Sequence, residues 1–157
     1  MGLAVDRPLR LMAPTSKSGS ILRGGRVARS ASVVAGGVLG TLARWAAGEI
    51  IPSSPLGFPW GTLVVNVTGA FALGVIGVVL IERVARIAHL RAFLAIGLLG
   101  SYTTFSTMAL EGVQLIEAQR IGLAAGYWIS TLVVGQMAGV YGMWLGQLRG
   151  PSRKETG

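Results

Sequence analysis

Nine consecutive residues, Gly100-Ser101-Tyr102-Thr103-Thr104-Phe105-Ser106-Thr107-Met108, include six Gly, Ser or Thr inside a charge-free stretch running from 92 to 110. A β-branched, hydroxyl-rich run beside glycine weakens a helix where no water can repair it. An interrupted membrane helix frees backbone carbonyls and amides at mid-depth, where they bind ions. The alternative is that the hydroxyls bond back to the preceding turn and merely bend the helix; on this segment alone both readings stand. Asn66 is the only amide in the 22 residues that follow Pro59. It brings two N–H donors into a setting that penalises unpaired ones, or it bonds a neighbouring helix. Arg44 and Glu111 are the only charges well inside apolar spans, and intramembrane charges are functional candidates. Arg44 suits a cationic vestibule and Glu111 a donor on another helix, unless the two pair with each other.

The elements that must position these residues follow from charge. The chain has 157 residues, 14 Lys+Arg against 6 Asp+Glu, only 13% charged residues and a mean hydropathy of +0.62. Soluble domains carry about 25% charge, so this is a membrane composition. Residues 50–81 hold no charge, 92–110 none and 121–148 none; a weaker span, 32–51, contains Arg44 and Glu49. The reading is an all-α membrane protein of four spanning helices, about 32–51, 60–81, 92–116 and 122–148, with the third broken at mid-membrane. Pro52, Pro55, Gly57 and Pro59 make the first loop turn-rich, and short loops throughout make one antiparallel bundle. Small residues recur every fourth position at Gly36–Gly40, Ala70–Gly74, Gly122–Gly126–Ser130 and Ala138–Gly142–Gly146, which lets helix backbones approach closely. Residues 1–31 mix Pro, Ser, Gly and basic side chains and read as a disordered arm. Residues 32–148 form the transmembrane domain and 149–157 a basic tail. No apolar segment of secretory-signal length follows the early basic residues; a mitochondrial-type targeting arm also fits their composition.

Chemistry is bounded by what is missing. With no Cys and one His, disulfides, thiolate metal sites, iron–sulfur clusters and Cys nucleophiles are excluded, and no nucleophile–base pair or metal triad for an intramembrane enzyme can be assembled. The basic residues flank spans rather than forming an aromatic-interleaved stripe, which argues for anionic lipid and against nucleic acid.

Three motifs together resemble the CrcB/Fluc fluoride ion channel family: Gly36-Gly37-x-x-Gly40-x-x-x-Arg44-Trp45, Gly61-Thr62-Leu63-x-Val65-Asn66-x-x-Gly69, and Gly100-x-x-Thr103-Thr104-Phe105-Ser106-Thr107 with Glu111. The resemblance runs from about residue 33 to 148. It implies a passive, fluoride-specific channel of the cell membrane that lowers cytoplasmic fluoride, built as an antiparallel dimer with a structural Na⁺ at its centre. Carried over by position, the Na⁺ ligands are the backbone carbonyls of Gly100 and Thr103. The fluoride pathway takes Asn66 as its amide, Phe105 as the first of two pore phenylalanines, and Ser106 and Thr107 as hydroxyl donors. Tyr127 and Thr131, spaced i, i+4, stand where the family has a polar track. Two positions depart from the pattern: Met108 stands in place of the second phenylalanine, and Ser101 replaces a common glycine. The physics is compatible. Na⁺ prefers oxygen ligands, fluoride needs donors in place of its water, and aromatic ring edges carry partial positive charge whereas a thioether is only a weak acceptor. A small multidrug-type cation/proton antiporter would need a carboxylate deep in the first helix, and Glu49 lies at its end. A purely structural bundle subunit leaves Asn66 and the Thr/Ser run unexplained.

Four spans put the N-terminal arm, the second loop and the C-terminal tail on one side, with Arg7, Arg10, Lys17, Arg23, Arg26, Arg29, Arg83, Arg86, Arg91, Arg149, Arg153 and Lys154, against Arg120 alone on the other. Both termini are therefore expected in the cytoplasm. One sequence inserts both ways only when Lys and Arg are nearly balanced, so a heterodimer with an oppositely inserted homologue is favoured over an antiparallel homodimer. The homodimer stays as the alternative because assembly can override topology signals in short helices. A reporter fused to the C-terminus should signal from the cytoplasmic side only; comparable signal from both sides would refute the heterodimer.

Overall fold

Apolar, charge-free chain becomes helix in a membrane because a helix satisfies every backbone group within its own segment. The computed structural model describes residues 16–51, 56–82 and 88–148, and every element among them is helical. Helix α1 spans Ser16–Ile50 and α2 spans Trp60–Glu82. A short α3 (Ala88–Arg91) continues without interruption into a π-helical segment, Ala92–Leu99, and a last turn, α4 (Gly100–Tyr102). Two extended residues follow before α5 (Phe105–Glu117), and α6 (Ile121–Leu148) closes the chain. The expected third helix is thus present and broken at Thr103-Thr104.

Three helical stretches are long and apolar enough to cross a membrane: Trp60–Leu80, Ala88–Glu117 taken across its break, and Ile121–Leu148. The first helix differs from expectation at its start. Residues 16–31, placed in a disordered arm, continue α1; residues 1–15 lie outside those described. Pro8 and Pro14 both precede this stretch, and once an apolar half supplies the nucleus each further helical turn costs little. The tail from 149 also lies outside the described residues.

Packing divides the helices into two pairs. α1 lies on the π segment and α2 along α6. In the first pair a Cβ on Gly36 would collide with the Phe93 carbonyl, one on Gly40 with Leu98, and one on Gly97 with Val33. In the second, Gly74 faces the Gly139 carbonyl and Gly142 faces Phe71. These ladders serve as the spacing suggested. Gly122 and Gly126 do not, since open space surrounds both. α5 joins α6 through Gly112, over which the Trp128 indole lies. The small core consists of Met108, Leu115, Ala124 and Tyr127, with Phe58 edge-on to Tyr127 at 5.6 Å. In the apolar stretch of each of the three spans only 22%, 22% and 17% of the residues are fully buried within the subunit, so the others are left partly or wholly open to lipid or to another chain.

The α5–α6 turn is a Schellman motif: the Gln119 amide donates to the Ile116 carbonyl at 2.9 Å and the Arg120 amide to that of Leu115 at 2.8 Å. Arg120 Nη1 then reaches the Leu56 carbonyl at 2.8 Å and ties this turn to the first loop. Gln119 is left-handed, at φ 60°, a region that favours glycine. Gln119→Gly should raise the thermal midpoint in detergent. Gln119→Val, β-branched at the same φ, should lower stability by about 1–2 kcal/mol.

Candidate functional site

The break is made by two side chains that capture backbone. Thr103 (ψ 154°) and Thr104 (φ −146°, ψ 120°) are extended. Thr104 turns both of its backbone polar groups towards α2, where the Asn66 carboxamide receives them: Thr104 N–H donates to Oδ1 at 2.8 Å, and Nδ2 donates to the Thr104 carbonyl at 3.0 Å. On the other side Thr104 caps α5. Its Oγ1 accepts the Thr107 amide at 3.1 Å and donates to Thr107 Oγ1 at 2.9 Å. Thr103 Oγ1 bonds back to the Leu99 carbonyl at 3.0 Å, closing the α4 end. Back-bonding and breaking therefore occur together, at adjacent threonines.

Where the helix breaks, the carbonyls of residues 100–103 all lose their helical donors, and at Gly100 and Thr103 the partner that captures the donor is seen directly. In a continuous helix the Thr104 amide would reach the Gly100 carbonyl, and the Thr107 amide that of Thr103. The first is taken by Asn66 and the second by Thr104 Oγ1. The carbonyls of Gly100 and Thr103 thus lose their helical donors at the negative end of α4, facing the positive end of α5.

Two cavities meet at this point, and Thr104 lines both. One, of about 410 Å³, gathers Asn66, Gly100, Thr103, Phe105, Met108 and Thr131. The other, of about 620 Å³, gathers Arg44, Thr62, Thr107 and Glu111. Within them the residues singled out from sequence are used unevenly. Phe105 is 75% exposed, its ring unburied by its own subunit, whereas Met108 is 6% exposed and belongs to the core. Asn66 holds the break with one N–H and has a second for the cavity. Tyr127 and Thr131 are buried with their protons engaged: Tyr127 OH donates to Glu111 Oε2 at 2.6 Å and Thr131 Oγ1 to the Tyr127 carbonyl at 2.8 Å. Ser106 is exposed beside Thr104 Oγ1, 3.3 Å away. Thr107, receiving a hydrogen bond at its oxygen, keeps its own proton to donate. Arg44 and Glu111 share the larger cavity, but the Glu111 oxygens are held by Tyr127 and by Thr62, which donates to Oε1 at 2.8 Å.

Three participants were not singled out as site residues from sequence. Thr62 reaches Glu111 across 49 positions, and no local signal connects them. Trp128 Nε1 donates to the Met108 carbonyl at 3.2 Å and so steadies α5 near the break. Gln136 also lines the smaller cavity; a lone amide well inside α6 is the same signal that marked Asn66.

Known proteins resemble this chain over the same region. The family model for CrcB-like protein, Camphor Resistance (CrcB), matches residues 31–143. A protein of Mycolicibacterium paratuberculosis named fluoride-specific ion channel FluC 1 is 41% identical over 108 residues, covering 69% of this chain and 82% of its own length. The fluoride-specific ion channel FluC of Agrobacterium fabrum is 38% identical over 119 residues, or 74% of this chain and 94% of its own. The Nocardia farcinica protein named FluC 2 is 45% identical over 105 residues, 67% of this chain and 74% of its own.

Because the Asn66 carboxamide satisfies two backbone groups at once, Asn66→Leu should cost about 2 kcal/mol or more by leaving both unpaired. Thermal unfolding in detergent measures this; an unchanged midpoint would mean that the break does not depend on Asn66.

Proposed function

The chain belongs to the CrcB-like family, and from that premise we propose that it is a passive fluoride-specific channel of the cell membrane that lowers cytoplasmic fluoride. The observation that carries this reading is the capped break in the third span, with a cavity on each of two sides and Thr104 common to both. Arg44 attracts anions into the larger cavity. Fluoride loses water to neutral donors on the two sides of the break: the Thr107 hydroxyl in the larger cavity and the second Asn66 N–H in the smaller one are those the geometry leaves unused. The Phe105 edge offers further positive potential. Passive flow needs no titrating carboxylate, and Glu111, held by two hydroxyls, acts as a positioning residue for Tyr127 and Thr62.

A structural Na⁺ fits the same break. Carbonyl oxygens without helical donors are hard ligands of the kind that ion prefers, and those of Gly100 and Thr103 are such a pair. When bound, the ion would neutralise the carbonyl ends of α4. Two carbonyls are too few for a complete shell, so a second subunit completes it. We read that assembly as an antiparallel dimer in which the apolar part of α1, residues 32–50, is the fourth span and both termini are cytoplasmic. The twelve-to-one distribution of Lys and Arg favours a heterodimer with an oppositely inserted homologue. Relatives named FluC 1 and FluC 2 support the idea of paired homologues.

Purified protein in liposomes, followed with a fluoride electrode, tests the function, with the companion homologue included if the chain alone is silent. Fluoride should leave without ATP or a proton gradient while chloride stays. Phe105→Ile should slow fluoride with little loss of stability, because that ring is exposed. Replacing Na⁺ by a bulky organic cation should reduce the flux. Transport that requires a proton gradient would overturn the channel reading in favour of an antiporter.

A further inference from the structure

α6 contains one amide well away from its ends. Gln136 has roughly 20 Å of helix on either side of it, which places it near the middle of a spanning helix. The polar side chains five to nine positions before it are all engaged within the subunit: Tyr127 with Glu111, Trp128 with the Met108 carbonyl, Ser130 and Thr131 with the Tyr127 carbonyl. Gln136 is exposed and makes no hydrogen bond to the described residues. An amide left unpaired in hydrocarbon costs several kcal/mol, so an occupant of the cavity or of a neighbouring surface has to meet it.

Gln136 borders three cavities, two of them otherwise apolar, and the third gives the direction. Gln136 lines the same 410 Å³ space as Asn66, Phe105, Met108 and Thr131. The space is open beside it, since a Cβ on Gly135 would touch nothing within 4 Å. Around that cavity donors are scarce: the Thr131 proton is committed to its own helix, Met108 has none, and Asn66 has one N–H left. A small, strongly hydrated anion passing Phe105 would therefore meet too few donors unless Gln136 adds its own. We propose that the Gln136 carboxamide is an anion-coordinating group of the conduction path, donating N–H to fluoride in this cavity. The inference rests on the channel reading above. A neutral amide suits the role, because it donates without holding the ion as a fixed cation would.

Gln136→Met, nearly isosteric and without a donor, is the test, made in the full chain with any required companion and compared with wild type in the same liposome assay. Fluoride efflux should fall at least ten-fold, with an unchanged elution volume in detergent. Gln136→Asn, which keeps the amide, should retain more flux than Gln136→Met. Wild-type flux in Gln136→Met overturns the proposal. So does lost flux accompanied by a shift to a smaller species, which would make Gln136 a contact between subunits. If wild type with its companion moves no fluoride, the channel reading and this role fall together; normal wild-type flux with normal Gln136→Met flux removes this role alone.

Discussion

A backbone that leaves the helix inside a membrane has to find partners elsewhere, and in this protein one carboxamide supplies them. Asn66 meets Thr104 as another peptide group would, accepting its N–H and donating to its carbonyl. In hydrocarbon each group left unmatched costs several kcal/mol. The pair makes the break tolerable and also aims it, because the amide that Asn66 removes is the one that would have covered the Gly100 carbonyl. The cap formed by Thr104 Oγ1 acts in the same way on Thr103.

The rest of the subunit holds that geometry still. α2 supplies Asn66, and its position is set by close contact with α6 through Gly74 and Gly142. α4 is carried by the π segment, which α1 presses through Gly36, Gly40 and Gly97. α5 is fixed to α6 by Trp128 and by the Glu111–Tyr127 hydrogen bond, and α2 joins the same carboxylate through Thr62. The carboxylate thus links three helices below the break, and the amide links two at it.

Much of this was legible in the order of residues. Charge-free stretches located α2, the broken third span and α6 to within a few positions, since a charge at mid-membrane is too unfavourable to be common. The Gly/Thr/Ser run located the break, because those residues weaken helix locally. The partners were not legible. Asn66 and Thr104 are 38 positions apart, and which groups a lone amide bonds is decided by packing. Nor did the π segment stand out: Ala92–Leu99 has the composition of any apolar helix, and the wider turn arises where α1 packs against it. The helical continuation at 16–31 was missed because composition there suits disorder while the adjoining span extends the helix into it.

The π segment also makes the length of this part of the chain unusually strict. An eight-residue stretch of wider-turned helix runs directly into the α4 turn that presents Gly100. In an α-helix each residue added or removed rotates everything beyond it by about 100°, and in the wider π turn by somewhat less. A single deletion within Ala92–Leu99 would swing Gly100 and Thr103 to another face of the bundle while Asn66 stayed where it was. Conservative replacements in that stretch are therefore far easier to absorb than changes in its number of residues, so in divergence of this chain the segment should drift in composition and hold its length.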